Sequence, residues 1–298
     1  MYDSVKIIIP GQRVTENVIS NINPLFHGVA GCYKNLRLRD VAAGLIIDGS
    51  LPKFYLGNNA ESLSRGEIRY ALEKIEDECH ILLKGGLVWV LEFGRTIPVD
   101  NPASCYLSSW CELPRFQKVV YGSSETVLFQ QQCKSYTGYD KVCEMKGRKE
   151  VFPLNSSFGV KLEFKIKKGV AKFFNKAIAP FDLADQVVYR RLVKKWGDLY
   201  FSILKKRTAY LNFNDSVITS KRLLERFAAV GLSEYGPDRA LEGIDIEFQK
   251  GKIDKCTRSR LRKTVRDFSR NDCLYYSDDY ITELNQKVAE AIRDALLE

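Results

Sequence analysis

Through the first two thirds of the chain, apolar residues alternate with polar ones or fall in short runs, which is the pattern of strands. Residues 5–9 read as a buried strand, and residues 44–47 and 53–56 as two more, joined through Asp48-Gly49-Ser50 as a hairpin. Ser64 followed three residues on by Glu67 is a capping box, and Ile68, Leu72 and Ile75 then recur at helical spacing up to about His80. Residues 87–93 form an apolar strand with Glu92 set into it, and residues 102–113 carry Tyr106, Leu107 and Trp110 at helical spacing. Residues 126–129 and 135–142 predict a second hairpin. Residues 160–167 alternate strictly, with Leu162, Phe164 and Ile166 on one face and Lys161, Glu163, Lys165 and Lys167 on the other. One face of that strand packs, and the other meets solvent or a ligand.

From about Pro180 the strand pattern stops. Leu183, Val187, Leu192 and Trp196 predict a long helix that carries Arg190, Arg191, Lys194 and Lys195, with further helices at 220–230 and 255–268. The expected fold is α+β: an antiparallel sheet with flanking helices over residues 1–215, then a helical region over 216–298. A chain of 298 residues, 45% hydrophobic, is long enough to bury a sizeable core. The apolar run at Ile7-Ile8-Ile9 is broken by Pro10, too early for a signal peptide or a membrane span, and no later apolar run approaches membrane length.

Composition narrows the chemistry. The 46 Lys and Arg against 37 Asp and Glu give a net charge of +9, which suits a polyanionic partner. With only His27 and His80 there is no histidine pair for a metal or a hydrolytic triad, and no Gly-x-x-x-x-Gly-Lys loop for ATP. The eight cysteines form no Cys-x-x-Cys pair, so neither a zinc ribbon nor a thioredoxin-type motif is indicated, and reduced thiols are expected. What remains is a set of carboxylates, lysines and tyrosine on predicted strands: Glu92, Tyr139, Asp140, Lys141, Glu144, Lys161, Glu163 and Lys165. A tyrosine hydroxyl attacks a phosphodiester when a nearby cation stabilises its phenolate, and the phosphotyrosyl link stores the energy for rejoining. On a strand, Tyr139 and Lys141 share a face, placing Lys141 to stabilise charge. Glu92 and Glu163, with Glu144 as a third candidate, are the expected ligands of one Mg²⁺ or Mn²⁺. For Glu92 a sheet edge or an ion pair is the competing reading, and for Glu163 a solvated face.

The segment 49–59, followed by Tyr139-Asp140-Lys141-Val142-Cys143-Glu144 and Lys161-Leu162-Glu163-Phe164-Lys165, resembles the phage and plasmid replication proteins of the gene II/X type. The resemblance lies in short motifs in the expected order over roughly residues 40–200. It implies a cytoplasmic protein of a bacterial host that nicks one strand of a double-stranded replication origin, starts rolling-circle replication and rejoins the displaced single strand. In that reading Tyr139 is the nucleophile, Lys141 and Glu144 complete its motif, and Glu163 lies in the family's Arg/Lys-x-Glu-like strand. The free 3′-hydroxyl primes a host polymerase, with a host helicase as a further partner. The family's Arg-hydrophobe-Asp signature is here Val90-Leu91-Glu92. That departure motivates an alternative, a catalytically silent DNA-binding replication regulator of the same fold. A conjugative relaxase is disfavoured by the missing histidine pair. Tyr136, three residues before Tyr139, is a candidate second nucleophile, but the intervening Gly138 and the face parity favour packing or stacking on bases.

Beyond the site, Arg258, Arg260, Arg262, Lys263 and Arg266 cluster on one predicted helix, and Arg190, Arg191 and Lys194 on another. With Lys161 and Lys165 they are the expected DNA contacts. Each phosphate neutralised on a duplex steepens the salt dependence of log K by roughly 0.9.

Overall fold

The computed structural model describes residues 1–12, 23–24, 30–122, 125–153, 156–209, 219–271, 274–275 and 278–298; His27 and Cys273 lie outside them. The first half runs β1 (Tyr2–Pro10), β2 (Asn23–Pro24), β3 (Ala30–Tyr33), β4 (Leu36–Val41), β5 (Gly44–Ser50), α1 (Leu51–Leu56) and α2 (Arg65–Cys79). Then come β6 (Leu87–Val99), α3 (Ala103–Leu107), β7 (Trp110–Glu112), β8 (Gln117–Tyr121), β9 (Thr126–Gln130), β10 (Lys134–Asp140), α4 (Lys141–Gly147) and β11 (Phe158–Ile166). Among the described residues the remainder is helical apart from one short strand: α5 (Val170–Phe174), α6 (Gln186–Ser202), β12 (Leu204–Lys205), α7 (Ser220–Tyr235), α8 (Pro237–Gln249), α9 (Lys255–Ser269) and α10 (Asp279–Leu297). This is the α+β class that the alternation and the later helical spacing predict.

The main sheet has the order β2-β3-β4-β5-β1-β6-β11-β10-β9-β8, and its described pairings are antiparallel. It is built from two similar halves. Outward from β1 lie β5, β4, β3 and β2; outward from β6 lie β11, β10, β9 and β8. Each half opens with a central strand and returns as a meander whose last strand pairs with the first. Four neighbouring strands, β1, β6, β11 and β10, therefore carry the residues of the candidate site.

Alternation assigns one face of the sheet to the core. Val5, Ile7, Leu91, Phe93, Tyr136, Leu162 and Phe164 pack in one buried cluster with Ile68, Leu72 and Ile75 of α2, Leu192 and Trp196 of α6, and Leu284 and Val288 of α10. The Trp196 indole N–H donates to the Leu162 carbonyl at 3.0 Å, so its one polar atom is satisfied inside that core. The capping box is formed as predicted: Glu67 Oε2 accepts from the Ser64 N–H at 2.8 Å while Ser64 caps the Glu67 N–H. Such a cap stabilises a helix by about 1 kcal/mol.

Several expectations are corrected. Residues 53–56 lie in a helix: Ser50 caps the Lys53 N–H, Pro52 supplies a preset φ in the first turn, and Gly57 ends the turn in the left-handed region at φ 83°. Asp48-Gly49-Ser50 makes no hairpin, since it lies within β5. The strand predicted over 135–142 stops at Asp140, whose carboxylate accepts from the Cys143 N–H at 2.8 Å and starts α4. The helix predicted over 102–113 is confined to α3, and Trp110 lies in β7, wedged against Phe129, Tyr136 and Tyr200. Leu183 falls in a short 3-10 turn (Pro180–Ala184), and Val187 faces solvent.

α8 and α10 were not predicted. The boundary expected at residue 215 falls outside the described residues, but α10 packs back on α6 and β6, where its Ile292 meets the bare Gly197. Among the described residues no helix is long and apolar enough to cross a membrane.

Candidate active site on the open face of the sheet

Tyr139 lies on β10 with its side chain directed away from the core. The residue before it has to be small: a Cβ on Gly138 would come within 2.6 Å of the Trp110 ring, which fills that position from the core side. Tyr136 also faces the core, fully buried against Trp110, so it is a packing residue and neither a second nucleophile nor a base-stacking one.

The Tyr139 hydroxyl donates to Glu163 Oε1 at 2.9 Å. The register explains the contact, because Tyr139 opposes Lys161 and Thr137 opposes Glu163, leaving Tyr139 and Glu163 as diagonal neighbours on one face. On the next strand Gly94 opposes Glu163, and a Cβ there would stand 2.2 Å from the Leu162 carbonyl oxygen. Beside it Glu92 opposes Lys165, and the two form an ion pair at 3.4 Å. A register shift between Tyr2 and Val5 of β1 then re-aims Asp3 into the same cluster. Asp3 binds Lys161 Nζ at 2.9 Å and accepts from the Ser50 hydroxyl at 3.2 Å.

Two lysines at this site have no exposed surface. Lys161 is held by Asp3 and by the Asn59 carbonyl at 3.3 Å, so the expectation that it contacts DNA from a solvated face is corrected. Lys141, as the first residue of α4, turns back over the site and donates to Asn59 Oδ1 at 3.0 Å and to Glu144 Oε2 at 2.7 Å. Its ammonium lies 5.8 Å from the centre of the Tyr139 ring. The loop after α1 and the start of α4 thus cover this end of the face, and Lys53 of α1 pairs with Glu150, just past α4, at 2.6 Å.

Burial, then the charges of Glu92 and Asp3, push the Glu163 carboxyl up to about 8, within the range of a general base. Burial, then Asp3, raises Glu92 as well. Burial opposes the charge on Asp3, but Lys161 and Lys141 outweigh it and hold that carboxyl below its usual range. For Tyr139, burial and then Glu163 push the phenol well above its usual value. The expected free phenolate, stabilised by Lys141, is thus disfavoured in this arrangement. Any attack by this oxygen has to give up its proton as the new bond forms, and Glu163 is in position to take it.

The three expected metal ligands are not brought together. Glu144 pairs with Lys141 and with Arg148 at 2.6 Å, and Asp3 takes the place beside Glu92 and Glu163. Among the described residues no three acidic, histidine or cysteine side chains are placed to hold a metal ion.

The expected DNA contacts divide. Lys165 is part-exposed at the edge of the cluster. Arg190, Arg191 and Lys194 are exposed on α6, with Arg191 over the Phe173 ring at 5.2 Å, on the side of the sheet opposite Tyr139. The neighbouring Tyr189 and Trp196 are core residues. On α9, Arg258 and Arg262 bind Asp245, while Arg262 and Arg266 bind Glu112 of β7, which leaves Arg260 and Lys263 as the exposed cations of that group.

Asp3 and Asn59 are the site residues that sequence reasoning missed. Asn59 lies within the segment that carries the resemblance, and its signal is the polar Asn58-Asn59 pair directly after the helix-ending Gly57. Asp3 has only the weak signal of a carboxylate next to an apolar strand. Compared with known proteins, the chain matches no family model and no curated sequence.

Proposed function

We propose that the chain nicks and rejoins DNA by tyrosine transesterification and serves as a rolling-circle replication initiator in the cytoplasm of a bacterial host. The observation that carries this reading is the hydrogen bond from the Tyr139 hydroxyl to Glu163 on the face of the sheet turned away from the core, with Lys141 beside the ring. As the phenolic oxygen attacks the scissile phosphorus, its proton passes to Glu163, the O–P bond forms and the P–O3′ bond breaks. The leaving oxygen becomes the 3′-hydroxyl by taking a proton, for which protonated Glu163 is a source. Lys141 offsets the charge that gathers on the phosphorane oxygens. The product is a 5′-phosphotyrosyl link, and reversal of the same step by a free 3′-hydroxyl rejoins the strand.

The partners in this reading are double-stranded origin DNA, the displaced single strand, and a host helicase and polymerase. Mg²⁺ or Mn²⁺ enters as a requirement to be tested, with no step assigned to it, since the carboxylates do not make a ready cage.

The test is incubation with a supercoiled plasmid bearing the origin, with Mg²⁺, with Mn²⁺ and with chelator. The expected result is nicked circles with the protein covalently attached to one strand, both lost in Tyr139→Phe while DNA binding persists. Full nicking by Tyr139→Phe would remove the assignment. Salt-sensitive binding by the unaltered protein, with no nicked product under any metal condition, would select the silent regulator.

A further inference from the structure

Away from Tyr139, where α6 ends and α9 and α10 approach it, lies a cavity of about 210 Å³. Lys205, Arg207 and Arg270 line it, together with Ser269, Thr282 and Asp278. Asp278 is committed to capping α10, where its carboxylate accepts from the N–H groups of Tyr280 and Ile281 at 3.1 and 3.3 Å. Among the described residues three cations therefore line the cavity, with one carboxylate that is already hydrogen-bonded.

Lys205 is the unusual member, with only 9% of its surface exposed. Its neighbours are the Tyr200 ring, 4.1 Å from the ammonium, and the Tyr200 carbonyl oxygen at a long 3.4 Å. Among the described residues neither Lys205 nor Arg270 has a carboxylate in ion-pair range. Arg270 donates to the Ser202 carbonyl at 3.1 Å, and Arg207 lies 5.4 Å from the centre of the Tyr275 ring. Burying a lone ammonium beside two guanidinium groups costs free energy unless something offsets the charge. Burial, with Arg270 and Arg207 adding to it, pulls the Lys205 ammonium down to about 7. The natural complement is a compact, multiply charged anion, and guanidinium forks match the oxygens of phosphate.

We propose that this cavity is a phosphate-binding site in which Lys205, Arg207 and Arg270 hold one phosphate group. The group comes either from a nucleic-acid backbone or from a free phosphate compound. The inference is independent of the nicking chemistry, and a chain with no nicking activity would keep the site.

The experiment follows the melting temperature of the full chain during titration with inorganic phosphate against chloride at matched ionic strength. The unaltered protein should show a saturable rise specific to phosphate. Lys205→Met should lose that rise yet melt no lower in phosphate-free buffer, because it replaces an unpaired buried charge with an apolar chain of similar length. Arg270→Gln should bind phosphate about tenfold more weakly. Lys84→Gln, at an exposed site elsewhere, should behave as the unaltered chain does. A short single-stranded oligonucleotide that competes with phosphate identifies a nucleic-acid backbone as the source, and independent effects of the two identify a free phosphate compound. No phosphate-specific rise in the unaltered protein, or the same rise in Lys205→Met and Arg270→Gln, overturns the proposal.

Discussion

At Tyr139 the side chain is held by hydrogen bonding and burial together, and both favour the protonated phenol. Glu163 therefore carries the pH dependence expected of the proposed nicking reaction. Below about pH 8 its carboxyl is mostly protonated and cannot accept the tyrosine proton, so the nicking rate should climb as pH rises through about 8. Glu163→Gln should lower the rate by about 10²- to 10⁴-fold and flatten that rise. An unchanged profile in Glu163→Gln would assign the proton to another group. The same carboxyl has a consequence for stability. Its folded pKa lies above its unfolded one, so its contribution is fully present below the unfolded value, near 4.5, and is lost as pH rises through about 8. Glu163→Gln should accordingly lose less stability than the unaltered chain between pH 5 and 9 in urea titrations. Lys161 and Asp3 sit behind this pair as a buried salt bridge, and leaving either charge alone costs about 3 to 5 kcal/mol. Asp3→Ala should therefore show first as a lower melting temperature, before any loss of activity is read.

Among the elements, α9 shows how a run of basic residues misleads. Its sequence presents five cations within nine positions, and nothing in that run tells which of them already have partners. The partners lie elsewhere in the chain, on Glu112 of β7 and Asp245 of α8, so the tethering is visible only once the chain has folded. Arg262→Ala should destabilise the fold by about 3 kcal/mol and leave the salt dependence of DNA binding unchanged. Replacing exposed Arg260 or Lys263 by Gln should lower that salt slope by roughly 0.9 for each phosphate that is no longer neutralised, with little effect on stability. A slope change confined to Arg262→Ala would reverse this assignment. The strands were legible for the opposite reason. Their alternation is set by local geometry and needs no distant partner, so β1, β6, β9 and β11 could be read directly. The start of α4 was not, because Tyr-Thr-Gly-Tyr leads into it with strand character and only the cap at Asp140 marks the change. That single misread turn put Lys141 on the wrong element, although its proximity to Tyr139 survived.

For the molecule as a whole, the long helices and the candidate site lie on opposite sides of one sheet, so packing strength behind the sheet fixes the geometry in front of it. α10 matters most here, because it closes the core over residues far earlier in the chain. Leu284 and Val288 are buried with the strands, and Glu283 accepts from the Tyr106 hydroxyl at 2.5 Å. The sequence signal for this helix was present in Ile281, Leu284, Val288, Ala291 and Ala295, but spacing alone does not reveal which surface such a stripe covers. If α10 is integral to the sheet's core, damage to it must be felt throughout that core. Leu284→Ala should cost about 2 to 5 kcal/mol. Buried Trp110 and Trp196 then report the outcome directly, since both lie in the core cluster, while far-ultraviolet circular dichroism reports the helices. A shared loss of stability requires the two signals to move together to lower urea in one transition. Were α10 instead part of a separately folding C-terminal unit, the substitution would split the curve, with the helical signal falling early and the tryptophan signal staying where it was.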